Sequence, residues 1–131
     1  MKSKILRNGL SVLTACALTA VAGAAMAGLS YSVPVNINDA YKYAVGTMYG
    51  ARASSDTVQY IGCYHNAYSS GGSANCYAVN AAGVSRSCYT TNVNMVDAIR
   101  SISDESYIYF QWNTDGTCNY VLVDNGSRFR P

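Results

Sequence analysis

The chain has 131 residues, carrying nine Lys and Arg, seven Asp and Glu, one His, twelve Tyr and five Cys, and 50% of it is apolar. A net charge of +2 is far from the basic stripe that neutralises a phosphate backbone, which argues against a nucleic-acid partner. The length suits one domain rather than two.

The first 27 residues divide as an export signal does. Lys2, Lys4 and Arg7 come first, an apolar run follows from Leu10 to Ala22, and Ala25-Met26-Ala27 forms a small-x-small cleavage site. That run is short of the roughly 20 residues that span a bilayer, so no membrane span is expected after removal of the signal. Cleavage after Ala27 leaves residues 28–131 as a single domain, periplasmic or secreted, with six basic and seven acidic residues and hence a net charge of −1. A minor alternative is lipid attachment at Cys16, at the end of "LTAC", although Leu10–Ala15 is a short hydrophobic segment to precede such a cut.

Residues 30–37, "SYSVPVNI", alternate polar and apolar, and Pro34 marks the resulting strand as an edge. "YKYAVGTMYG" continues the period of two through Tyr41, Tyr43, Val45, Thr47 and Tyr49 and reads as a second strand. "TVQYIGCYHN" reads as a third, and "AYSSGGSAN" as a flexible segment. Strands are then expected near 75–80 and 84–90, joined by "NAAG" with Gly83 in the left-handed position of a three-residue hairpin loop. This register sets Ala78 opposite Arg86 and Cys76 opposite Cys88.

"NVNMVDAIRSIS" predicts the one helix, at about 94–102, with Asn94 as cap and Met95, Ile99 and Ile102 on its packing side. At "NTDG" the same turn chemistry recurs around Gly116, pairing Trp112 with Cys118, Phe110 with Tyr120 and Ile108 with Leu122. These six residues form the expected core face. The fold expected is mainly β, an antiparallel β-sandwich or flattened barrel of about six to seven strands with one short helix and two disulfides. Directly opposed strand residues have Cβ atoms about 4.5–5.5 Å apart, close to what a bridge needs, so Cys76–Cys88 is the first expected disulfide and Cys63–Cys118 follows by elimination. Four cysteines allow three connectivities, and spacing does not choose among them.

Chemistry is thinly represented. One histidine and isolated cysteines lack the spacing of a zinc site, and neither a metal nor a cofactor is expected. Any Ser-His or Cys-His scheme must use His65, which has no G-x-S-x-G elbow or neighbouring acid to support it. Asp104-Glu105 is the one adjacent acidic pair, and glycosidic chemistry would need two carboxyls about 5–10 Å apart across a groove. A small hydrolase based on His65 or Asp104/Glu105 is therefore the weakest of three functional expectations, and no catalytic residue is assigned.

The tyrosines carry the other two. Cysteine precedes tyrosine at 63–64, 76–77 and 88–89. Strand neighbours point to opposite faces, so each cysteine turned inward sets its tyrosine outward. Tyrosine suits partly wet interfaces because an apolar ring ends in a hydroxyl. Tyr64, Tyr77, Tyr89, Tyr107 and Tyr109 are the candidate binding residues. The leading expectation is a non-enzymatic exported protein working by surface contact with a protein or by assembly at the cell surface, self-association included. The alternative is a carbohydrate-binding module that stacks glycans on Tyr and Trp.

Overall fold

The computed structural model describes residues 28–129. The expected export signal, its cleavage site and the alternative lipid site at Cys16 lie outside the described residues. Seven strands form two antiparallel sheets packed as a sandwich. The first sheet has the order β1-β2-β6-β7, from β1 (Asn36–Asn38), β2 (Tyr43–Thr47), β6 (Tyr107–Trp112) and β7 (Cys118–Asp124). The second has the order β3-β4-β5, from β3 (Tyr60–Tyr68), β4 (Gly71–Val79) and β5 (Ser85–Thr90). Helices α1 (Met48–Arg52) and α2 (Val93–Arg100) and a 3-10 turn at Ser127–Phe129 complete the described chain.

The core lies between the sheets. Small residues on the facing sides, Ala44, Ala74 and Ala78, let the layers approach, and Ile108 and Phe110 fill the space between them. Gly46 belongs to the same close approach, since a Cβ there would stand 3.2 Å from Val35 and 3.4 Å from Ile61. Phe110 is fully buried, and truncating such a ring costs about 3–5 kcal/mol. Helix α2 lies against β3, β4 and β7 and contributes Val96 and Ile99 to the core. Its cap lies two residues earlier than expected, because Asn92 rather than Asn94 accepts the free amides, those of Asn94 at 3.0 Å and Met95 at 3.3 Å.

The amino-terminal strand is shorter than expected. Pairing starts only at Asn36, and Val33 instead exchanges bonds with Thr47, whose backbone N–H donates to the Val33 carbonyl at 3.0 Å while its hydroxyl accepts the Val33 N–H. The same hydroxyl caps α1 by accepting the Gly50 N–H at 3.0 Å. The period of two therefore stops at Thr47, and Tyr49 belongs to a helical turn. "AYSSGGSAN" is not flexible coil, because Tyr68 pairs with Gly71 and the segment forms a tight hairpin between the two longest strands.

The hairpin around Gly83 has the expected register, with Cys76 opposite Cys88 and Gly83 at a φ of 78°. The disulfides nevertheless join Cys63 to Cys76 and Cys88 to Cys118, so the expected Cys76–Cys88 and Cys63–Cys118 pairs are both corrected. The reason is the alternation of wide and narrow pairs in an antiparallel ladder. The Asn80 N–H donates to the Val84 carbonyl at 3.0 Å, which makes 80/84, 78/86 and 76/88 hydrogen-bonded, wide pairs. The backbone groups of Cys76 thus point to β5, and on its other side Cys76 meets Cys63 as a narrow pair, with Cα atoms 4.0 Å apart. Cys88 is left to cross between the sheets to Cys118, with Cα atoms 4.9 Å apart. There the Tyr89 N–H also donates to the Gly116 carbonyl at 3.1 Å.

The second correction concerns β7. Trp112 pairs with Cys118, as the Gly116 turn requires, but Gln111 then pairs with Tyr120, Phe110 with Val121 and Ile108 with Val123. Asn119 is the extra residue of a β-bulge. Beyond it every β7 side chain is exchanged between faces. Val121 packs against the core, and Tyr120 and Leu122, expected inside, stand on the outer face.

Candidate functional site: two tyrosine surfaces

The outer face of the first sheet is built by three strands. On β6 the residues alternating with buried Ile108 and Phe110 are Tyr107, Tyr109 and Gln111, and β2 adds Tyr43, paired with Gln111. The bulge supplies Tyr120 and Leu122 from β7. Tyr43 and Tyr109 stack with ring centroids 5.4 Å apart, and Tyr120 meets Tyr109 edge-on at 6.0 Å, arrangements that favour aromatic pairs beyond area alone. The Gln111 side-chain amide donates to the Tyr109 hydroxyl at 2.7 Å. Tyr107, Tyr109, Gln111, Tyr120 and Leu122 line a shallow depression of about 440 Å³.

One end of this face is closed by the carboxyl-terminal turn. Phe129 is buried and stacks on Tyr107 with centroids 5.0 Å apart, while the Arg128 guanidinium stands 4.9 Å from the Phe129 centroid and pairs with Asp124. Loss of water around the Tyr107 hydroxyl raises its pKa, and Tyr109 and Asp124 push in the same direction.

The outer face of the second sheet carries a separate cluster. Tyr77 is paired with Gly62, and its ring lies over that glycine, where an added Cβ would come within 3.0 Å of the tyrosine hydroxyl and 3.2 Å of the ring. Tyr77 is thereby flanked by Tyr60 at 5.8 Å and Tyr64 at 6.3 Å. Tyr60 and Tyr64 are half exposed. Farther along, Tyr68 and Tyr89 border a polar cleft of about 730 Å³ between the β3–β4 hairpin and α2, floored by serines and glycines and reached by Arg100. Arg100 is held there by Asp97 at 2.8 Å.

Of the five tyrosines singled out from the sequence, the fold thus brings Tyr107 and Tyr109 together on one face and Tyr64 and Tyr77 on the other, and leaves Tyr89 at the cleft. Sequence reasoning missed Tyr43, Gln111, Tyr120 and Leu122. The alternation in "YKYAVGT" contains the signal for Tyr43, whereas nothing before the bulge announces Tyr120 and Leu122. Trp112 is partly buried on the inner side against Phe110, with centroids 6.1 Å apart, so it offers no platform beside these tyrosines.

His65 is exposed on β3 opposite Ala74 and makes no hydrogen bond or ion pair to a described residue. Asp104 and Glu105 occupy the turn between α2 and β6, where the Asp104 carbonyl accepts an Arg52 guanidinium N–H at 3.2 Å. Neither His65 nor the acidic pair lines the depression or the cleft. Among the described residues no three His, Cys, Asp or Glu side chains are grouped to hold a metal ion, and no helix is long and apolar enough to cross a membrane. Comparison with protein-family models, curated proteins and solved structures gives no match.

Proposed function

We propose that this is a non-enzymatic protein that works outside the cytoplasm by surface contact, using the outer face of the first sheet against a protein partner. Its two disulfides are compatible with a periplasmic or extracellular location. The observation that carries the contact reading is the cluster of Tyr107, Tyr109, Tyr120 and Leu122 around one depression, with Tyr43 stacked on Tyr109 and Tyr120 46% exposed. Such a patch joins pre-ordered rings, whose immobilisation costs little, to hydroxyls that stay bonded at a wet rim.

A protein is favoured over a glycan because Tyr43 and Tyr109 turn their faces to each other and Tyr107 to Phe129, so the surface presents ring edges and hydroxyls more than flat platforms. The carbohydrate-binding alternative draws its support from the Gln111 amide set among the rings. The hydrolase alternative draws no support from the depression or the cleft, neither of which His65 or Asp104/Glu105 lines.

Site-specific photocrosslinking tests the assignment. A photoreactive residue at Tyr120 is expected to give a discrete protein adduct in intact cells, and one at Ala81 in the distant hairpin loop is not. Adducts at both positions alike, or none at Tyr120 together with glycan-array binding that the double variant Tyr120→Ser/Leu122→Ser abolishes, would move the function to the carbohydrate alternative or away from this face.

A further inference from the structure

We infer that the exposed half of β3 is a self-pairing edge, through which two copies of the chain join their second sheets into one continuous sheet about a two-fold axis at Asn66.

The backbone is the first argument. β3 has nine residues and borders the second sheet, and no described strand lies beyond it. Natural edges of this length are usually protected by a charge, a proline, a bulge or a covering segment. "YIGCYHNAY" has no Asp, Glu, Lys or Arg, no proline and an unbroken register with β4. Its first half is partly covered, with Ile61 and Gly62 buried, whereas the five residues from Tyr64 to Tyr68 are all exposed.

Ladder alternation states which groups this edge offers. Because Cys63–Cys76 is a narrow pair, the N–H and C=O of Cys63 point away from β4, and so do those of His65 and Ala67. The even residues bond inward, in keeping with the Asn66 carbonyl lying 3.1 Å from the Cβ position of Gly72 on β4. His65 and Ala67 therefore present two donors and two acceptors per copy along an exposed edge.

The side chains identify the occupant as a second copy. Antiparallel pairing about Asn66 sets His65 opposite Ala67 of the other copy as a wide pair, twice, for four main-chain hydrogen bonds. Tyr64 then faces Tyr68 of the other copy as a narrow pair, again twice, on the outer face. These two tyrosines are 52% and 63% exposed, and narrow cross-strand aromatic pairs are among the favourable ones. The register needs only the exposed half of each strand, brings no like charges together, and is isologous, so it closes at a dimer. It adds one further ring, Tyr68 of the other copy, to each Tyr60–Tyr77–Tyr64 cluster and uses none of the first sheet's face.

Sedimentation velocity on the purified protein over a wide concentration range tests the inference, with amide exchange read at His65 and Ala67. A reversible dimer is expected, in which these two amides slow as concentration rises. Ala67→Pro removes one outward donor per copy at an edge position that tolerates proline, and is expected to weaken the dimer on the order of a hundredfold. Asn66→Lys sets two ammonium groups face to face on the axis and is expected to weaken it about tenfold, less so at high salt. Both positions are exposed, and unchanged near-UV circular dichroism of the monomers shows that the variants fold. A wild-type monomer at every concentration, or undiminished dimerisation in either variant, overturns the inference.

Discussion

The two outer faces of the sandwich both carry tyrosines, yet they hold them differently. On the first sheet Tyr43 leans on Tyr109 and Tyr107 on Phe129, so these three rings are half-buried, with Tyr120 open at their margin. On the second sheet Tyr77 is seated by the missing side chain of Gly62, and its neighbours Tyr60 and Tyr64 remain open. Aromatic content alone therefore says little about availability. What matters is whether the backbone brings a second ring, as the Asn119 bulge does for Tyr120, or leaves a vacancy, as Gly62 does for Tyr77.

Phe110→Ala removes the buried ring behind the first face and should have the largest effect. A loss of about 4 kcal/mol is expected from urea unfolding, along with a shift in the fluorescence of Trp112, whose ring packs on Phe110 at 6.1 Å. The second sheet's cluster should persist in whatever fraction remains folded.

The disulfides separate the sheets energetically. Replacing Cys88 and Cys118 by Ala opens a loop with a sequence separation of 30 and removes a covalent tie between the layers, for an expected cost of about 3–4 kcal/mol by loop-closure entropy. Replacing Cys63 and Cys76 opens one with a separation of 13 within the second sheet and should cost about 3 kcal/mol. Denaturant titrations of the two double variants would show whether the inter-sheet tie is the costlier loss.

Gly62→Ala sharpens the contrast at small cost. The new methyl presses on the free end of the Tyr77 ring rather than on backbone, so stability should fall by less than about 1 kcal/mol. The Tyr77 ring signals in an NMR spectrum should move, while those of Tyr43 and Tyr109 stay in place.

The smallest effect is one of pH. Tyr107 has its pKa raised above the usual 10.0, first by desolvation and then by Tyr109 and Asp124. Below that value its hydroxyl is protonated both folded and unfolded, and its contribution to stability is intact. As pH rises further the unfolded chain ionises first, and stability is lost through the raised folded pKa. Tyr107→Phe should lessen the alkaline loss, measured by thermal unfolding across that range.

Much of the fold was legible where one residue type has one physical use. Gly83 and Gly116 both adopt the left-handed conformation their hairpins need, with φ of 78° and 83°, and the β4–β5 register followed from the first of them. The helix was legible within two residues because Met95, Ile99 and Ile102 recur at helical spacing and pack on the core, whereas its start depended on a choice between two asparagines, either of which could cap. The disulfides escaped because direct opposition is necessary but not sufficient. Cys76 has an opposed cysteine on each side, and only the hydrogen-bond alternation makes one pair narrow. The bulge escaped for a different reason. "NYVLVD" is apolar on both sides of the strand, so Tyr120 with Leu122 and Val121 with Val123 are equally fit to face inward by hydrophobic pattern.

That ambivalence bears on how the first face can change over generations. A point substitution at Tyr120 or Leu122 retouches a single contact, but one near position 119 that closes the bulge at unchanged length trades the strand's whole exterior for its interior in a single event. Its binding repertoire is therefore open to stepwise retouching through substitutions on the face and to abrupt replacement through one at the bulge, with no intermediate between them.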